Sequence, residues 1–111
     1  MESPGYPPLL EEFSKQPYEE YAIGVEFSAV VDTDEESVLL SSSSVTCVDA
    51  SGEEDTSVYI SGSFDVQTDT ILRVRIKDGA ESNSPYKFTF KCVTSEGNKW
   101  EKDIQMNVRD I

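Results

Sequence analysis

The groups in this chain that could do chemistry are two cysteines, Cys47 and Cys92, a run of hydroxyls at Ser41–Ser44, and an abundance of carboxylates. None has a partner of the kind catalysis needs. The sequence contains no histidine, so a Ser-His-Asp triad, a Cys-His pair or an imidazole metal ligand cannot be assembled. The cysteines are far from a CxxC spacing, and two sulfurs without histidine do not complete the usual tetrahedral zinc site. There is no G-x-S-x-G elbow and no glycine loop for a phosphate. The serine run offers hydroxyls without a base and reads as a polar strand or its lead-in. Two carboxylates can share acid and base roles, but with 22 Asp and Glu residues nothing singles out one pair. The chain is therefore expected to be non-enzymatic and to carry no cofactor.

One segment resembles the start of a calcium loop. "DTDEES" places oxygens at Asp32, Asp34 and Glu36, but the EF-hand spacing then requires glycine where Ser37 stands and a carboxylate where Ser43 stands. A solvated acidic loop is the simpler reading, and no metal is expected. Cys92 is in phase with Phe88 and Phe90 and is expected to point inward, as is Cys47. Two buried thiols and an inter-sheet disulfide both fit that placement.

Charge bounds the partners. The formal charge is −13. It is unevenly placed: residues 1–72 hold 16 acidic residues and one basic residue, Lys15, whereas residues 73–111 hold 6 acidic and 8 basic. Such a chain repels nucleic acid and anionic lipid over most of its surface and is drawn to basic partners. No apolar run approaches the ~20 residues that span a bilayer. "MESPGYPPLLEEF" lacks the basic and apolar regions of a secretory signal, so no signal peptide and no membrane are expected.

Residues 1–17 hold four of the five prolines, Pro4, Pro7, Pro8 and Pro17. They read as an extended arm with apolar contact points at Leu9, Leu10 and Phe13. Residues 18–111 read as one domain. "YAIGVEF" alternates, with Tyr21, Ile23, Val25 and Phe27 on one face. Further strands are expected around Leu40–Ala50, at Ser57–Ile60, after a turn at Ser61-Gly62 at Phe64–Gln67, and through "ILRVRIK". The last of these puts Leu72, Val74 and Ile76 on one face and Arg73, Arg75 and Lys77 on the other. A final hairpin alternates Tyr86, Phe88, Phe90 and Cys92, turns at "SEGN", and returns with Trp100, Ile104, Met106 and Val108 facing the core. No segment has helical periodicity of adequate length. Short strands between turn signals predict an all-β, antiparallel, immunoglobulin-like β-sandwich of about seven strands with an extended N-terminal arm. The outward cations Arg73, Arg75, Lys77, Lys87 and Lys91 are expected to form a basic stripe across adjacent strands.

The segment "FSKQPYEEYAIGVEFS", with Lys15, Pro17 and Glu19 leading into a strand that ends Glu26-Phe27-Ser28, resembles the opening of a family of small tailed-phage and prophage fiber–tail adaptors. The C-terminal half is similar too, with its strand of alternating valines, the "TSEG" turn and a last strand ending Val108-Arg109. The likeness runs over about residues 13–111, in strand phase and order. It implies an immunoglobulin-like fold and a non-enzymatic structural place in a virion, made in the bacterial host cytoplasm. It also implies several copies joining tail, fiber or head proteins. The Pro-rich arm before Phe13 and the two cysteines depart from the family pattern. The expected partner contacts are Tyr6, Leu9, Leu10 and Phe13 on the arm and Arg73, Arg75 and Lys87 on the basic face. An alternative from another class is a recognition module for carbohydrate or a cell surface, which would gather exposed aromatics at one end.

Overall fold

The computed structural model describes residues 11–31 and 34–110. Among them seven strands form two sheets. β1 (Glu11–Lys15), β7 (Lys99–Val108), β6 (Tyr86–Val93) and β3 (Ser44–Val48) make one sheet in that order. β2 (Tyr21–Glu26), β5 (Ile71–Ile76) and β4 (Tyr59–Gln67) make the other. All pairings are antiparallel except β1 with β7, which run parallel. The architecture is the expected immunoglobulin-like β-sandwich.

Period-two alternation builds its core. Leu72, Val74 and Ile76 on β5 face Tyr86, Phe88, Phe90 and Cys92 on β6, all at 0–1% exposure. Val25, Ile104, Met106 and Val108 extend the same interior. Tyr59 adds an edge-to-face contact with Phe88, ring centroids 6.0 Å apart. Each large side chain so buried stabilises the fold by ~1.5–3 kcal/mol.

Three boundaries differ from the expectation. First, the arm does not extend to residue 17. Glu11–Lys15 is an edge strand of the four-stranded sheet, registered Glu11 to Ile104 and Lys15 to Val108. Its inner positions are Glu11, Phe13 and Lys15, so the apolar alternation that marks a strand is missing. Second, the turn at Ser61-Gly62 is absent. β4 runs unbroken through it, and a bulge between Ile60 and Asp65 moves the inner phase from Tyr59 to Val66. The Ser63 hydroxyl spans the bulge, donating to the Ile60 carbonyl at 2.6 Å and accepting from the Arg75 N–H at 2.8 Å. Third, the strand expected around Leu40–Ala50 is shorter, because Leu40–Ser42 is a 3-10 turn.

The new edge strand is held by a buried cation. Lys15 is 2% exposed, and its ammonium donates to the carbonyls of Gln16 at 2.8 Å, Pro17 at 3.3 Å, and Asp78. The following turn is closed twice: the Glu19 N–H donates to the Gln16 carbonyl, and the Gln16 N–H donates to the Glu19 carboxylate at 2.7 Å. The Lys15-x-Pro17-x-Glu19 motif is thus a structural clasp. Its other jaw is the β5–β6 loop, where Gly79 has φ +94° and a Cβ would meet Val108 Cγ2 at 3.0 Å. Burial pulls the Lys15 pKa below its ordinary value, opposed by the charges of Asp78 and Glu19.

Lys15→Met should lower stability by about 2 kcal/mol, since it leaves the carbonyls of a charge-assisted cage without their donor. Lys99→Met, on an exposed position, should stay within about 0.5 kcal/mol of the parent. Urea unfolding midpoints of the two variants compare them directly, and equal midpoints would refute the clasp.

Candidate functional site

The expected contact residues that are described, Phe13, Arg73, Arg75 and Lys87, do not form one surface. Tyr6, Leu9 and Leu10 lie outside the described residues. Phe13 is half-buried on the inner side of β1, opposite Met106. It packs edge-to-face on Tyr21, with centroids 6.2 Å apart and planes at 65°. It therefore serves its own domain.

The basic stripe is divided. β5 and β6 are consecutive in sequence but belong to different sheets. Arg73 and Arg75 point out from the three-stranded sheet, whereas Lys87 and Lys91 point out from the four-stranded one. The two arginines are also occupied. Arg73 grips Asp65 with two bonds, Nε to Oδ1 at 3.0 Å and Nη2 to Oδ2 at 2.8 Å. Arg75 Nε donates to Glu20 Oε2 at 2.8 Å. On the other sheet, Lys91 lies opposite Glu101 and Lys87 opposite Gln105, so that face carries mixed charge. A phosphate clamp is not what these cations make. The outward alternation of "ILRVRIK" was legible in the sequence; the acidic partners Glu20 and Asp65 were not, because no spacing rule links them to the arginines.

The polar motifs are likewise used locally. The Ser43 hydroxyl accepts the Val93 N–H at 3.0 Å, which ties the 3-10 turn to β6. In the acidic loop, Asp32 and Thr33 lie outside the described residues, and the Glu36 carboxylate accepts from Asn98 Nδ2 at 3.1 Å. No group of three or more metal-capable side chains occurs among the described residues.

Both cysteines are free and buried. They belong to one sheet: Cys47 on β3 is registered with Phe88, four residues before Cys92 on β6. At ~3.4 Å per residue that places the two backbones about 14 Å apart, far beyond disulfide reach. The antibody-like inter-sheet bridge is therefore not an option in this fold. Burial pushes the Cys47 thiol up to about 12, with the charges of Asp55 and Asp49 adding to it. Burial also raises Cys92, helped by Glu36. A thiol held protonated is a poor nucleophile.

An open seam lies between the sheets on the β1–β2 side. Phe13, Tyr21, Ile23 and Ile104 line an open cleft of about 350 Å³ there, with Glu11 and Glu12 at its lip. Trp100 lies further along the same side of β7. By alternation it shares the inner face with Ile104, yet it is 40% exposed. The expectation of a core tryptophan is thus corrected: Trp100 lines an open cleft of about 450 Å³ with Ser42, Ser44, Lys91 and Val93. The break at Lys102, which pairs with the Glu11 carboxylate, was the sequence signal that the core ended there.

No family model matches the sequence, and no curated protein matches it. Among solved structures, the chain is similar to CopC from Methylosinus trichosporium OB3b. The TM-score is 0.54 at 15% identity, covering 95% of this chain and 90% of that one. At that identity the likeness concerns the fold.

Two outcomes follow. A thiol-specific reagent should modify neither cysteine in the native protein and both in denaturant; rapid labelling of the folded chain would contradict their burial. The Asp65 carboxyl is held below its ordinary 3.8, chiefly by the hydrogen bonds from Arg73. Its contribution is therefore complete above 3.8 and disappears as pH falls through the lowered value. The gap in melting temperature between the parent and Asp65→Asn should be constant from neutrality down to 3.8 and should close in stronger acid.

Proposed function

We propose that this chain is a non-enzymatic structural connector of a tailed-phage or prophage particle, present in several copies and joining tail, fiber or head proteins. The observation that carries the reading is the Lys15-x-Pro17-x-Glu19 clasp. The motif on which the adaptor resemblance rests is the device that anchors the chain's N-terminal strand to a rigid sandwich. The Lys15 ammonium and the doubly closed Gln16–Glu19 turn fix the end of β1 against the sandwich. A connector requires such a rigid edge, because a body whose edge strand yields transmits no geometry between its two partners. In this reading Tyr6, Leu9 and Leu10 contact a neighbouring component. Arg73 and Arg75 keep the three-stranded sheet stiff through their carboxylate pairs, and Lys87 remains available to an acidic neighbour.

A carbohydrate- or cell-surface-recognition module would need its aromatics gathered at one end. Tyr18, 97% exposed on the β1–β2 turn, and Trp100, at the start of β7, stand at opposite ends of the sandwich. That separation favours the connector.

Particles purified from an induced host should contain the chain in fixed ratio to tail or capsid proteins by mass spectrometry. Particles made without its gene should lack a fiber, tail or head joint in electron micrographs. Recovery of the chain only in the soluble fraction, with complete particles formed in its absence, would overturn the proposal.

A further inference from the structure

β2 is an outermost strand of the three-stranded sheet and pairs with β5 alone. The Phe27 N–H donates to the Thr70 carbonyl, which sets the phase of that ladder. Counting back by twos, Val25, Ile23 and Tyr21 direct their backbone groups to β5, and Ala22, Gly24 and Glu26 direct theirs away from it. Among the described residues nothing bonds these outward N–H and C=O groups. Protein edges are ordinarily blunted by lysine, proline or a bulge. β2 contains neither residue type, and its register with β5 is unbroken. Gly24 leaves the middle of the edge bare, because a Cβ there would meet Arg73 Cγ at 2.9 Å.

The edge borders the cleft of about 350 Å³ lined by Phe13, Tyr21, Ile23 and Ile104. Tyr21 and Ile23 are inner residues of β2, so a strand laid beside them turns alternate side chains into this cleft. Its remaining side chains lie along the outer row of β2, which reads Glu20, Ala22, Gly24, Glu26. That row is small in the middle and acidic at both ends. The opposite lip of the cleft is acidic as well, with Glu11 and Glu12.

We propose that the β2 edge is a strand-addition site for an extended segment of a partner protein that alternates apolar and basic residues. Main-chain bonds to Ala22, Gly24 and Glu26 supply the affinity, and the alternate side chains supply the selectivity. The apolar ones enter the cleft, and the basic ones meet the carboxylates at its rim. A second copy of this chain is a poorer occupant. Its formal charge is −13, and pairing two β2 edges would add two further pairs of glutamates to that repulsion. The inference goes beyond the connector reading and does not require it.

The probe is a capped peptide of alternating valine and lysine, titrated into the full-length protein. A peptide of the same composition with its valines and lysines in separate blocks measures attraction by charge alone. The amides of Ala22, Gly24 and Glu26 should exchange freely in the isolated protein, and about tenfold or more slower with the alternating peptide bound. Ala22→Pro removes one outward N–H without touching the β5 ladder and should weaken binding about tenfold. The exchange measurement on the unmodified protein is independent of how that variant folds. No binding, equal binding of the block peptide, or binding that leaves the three amides unprotected would overturn the proposal. Protection before any peptide is added would assign the edge to the chain itself. Protection that grows with protein concentration would assign it to a second copy, and either result would overturn the partner segment.

Discussion

The apolar faces of β5 and β6 close on each other across the sandwich, and the rest of the molecule is arranged by that contact. Leu72, Val74 and Ile76 cannot share a sheet surface with Tyr86, Phe88 and Phe90 and also bury them; they must lie in opposing layers. The chain therefore crosses from one sheet to the other between Ile76 and Tyr86. That crossing loop needs its own support, which it receives from the Tyr86 hydroxyl accepting the Ala80 N–H at 2.9 Å and from the Lys15 ammonium on the Asp78 carbonyl. One packing requirement thus explains the division of the cations between two outer faces and the position of the clasp.

A buried lysine is costly unless its ammonium is supplied with acceptors. Here the acceptors are backbone carbonyls at a place where two chain segments meet, so removal from water and satisfaction of the carbonyls are solved together. The same logic recurs in smaller form at Ser63 and Ser43, whose hydroxyls fill gaps left by a bulge and a 3-10 turn. Polar side chains that look like candidates for chemistry are consumed in completing the backbone hydrogen bonding of an irregular sandwich. Electrostatics follows the same course. Bidentate pairing of Arg73 with Asp65 uses the planar fork of the guanidinium within one sheet, so this partly exposed cation already has its carboxylate.

Two departures in strand assignment offset each other. Merging Ser57–Ile60 and Phe64–Gln67 into one bulged strand removes a strand from the expected set, and recruiting Glu11–Lys15 adds one. The phase change between Tyr59 and Val66 was legible in the sequence, but a phase change is produced equally by a turn and by a bulge. Choosing between them requires the partner strand, β5, whose register with β4 slips at that point.

The order of apolar and polar residues by itself determined the all-β class, the alternating faces of β2, β5, β6 and the end of β7, and the absence of histidine-based chemistry. Each depends only on residue type and a period of two. The tertiary structure alone decided which strands are neighbours, and hence everything that depends on distance between remote residues. The ion pair of Glu20 with Arg75, the four-residue offset of Cys47 from Cys92, the burial of Lys15 and the exposure of Trp100 are all of that kind. The physical reason is that alternation reports which face of a strand avoids water, while the identity of the strand beside it is set by packing over the whole chain.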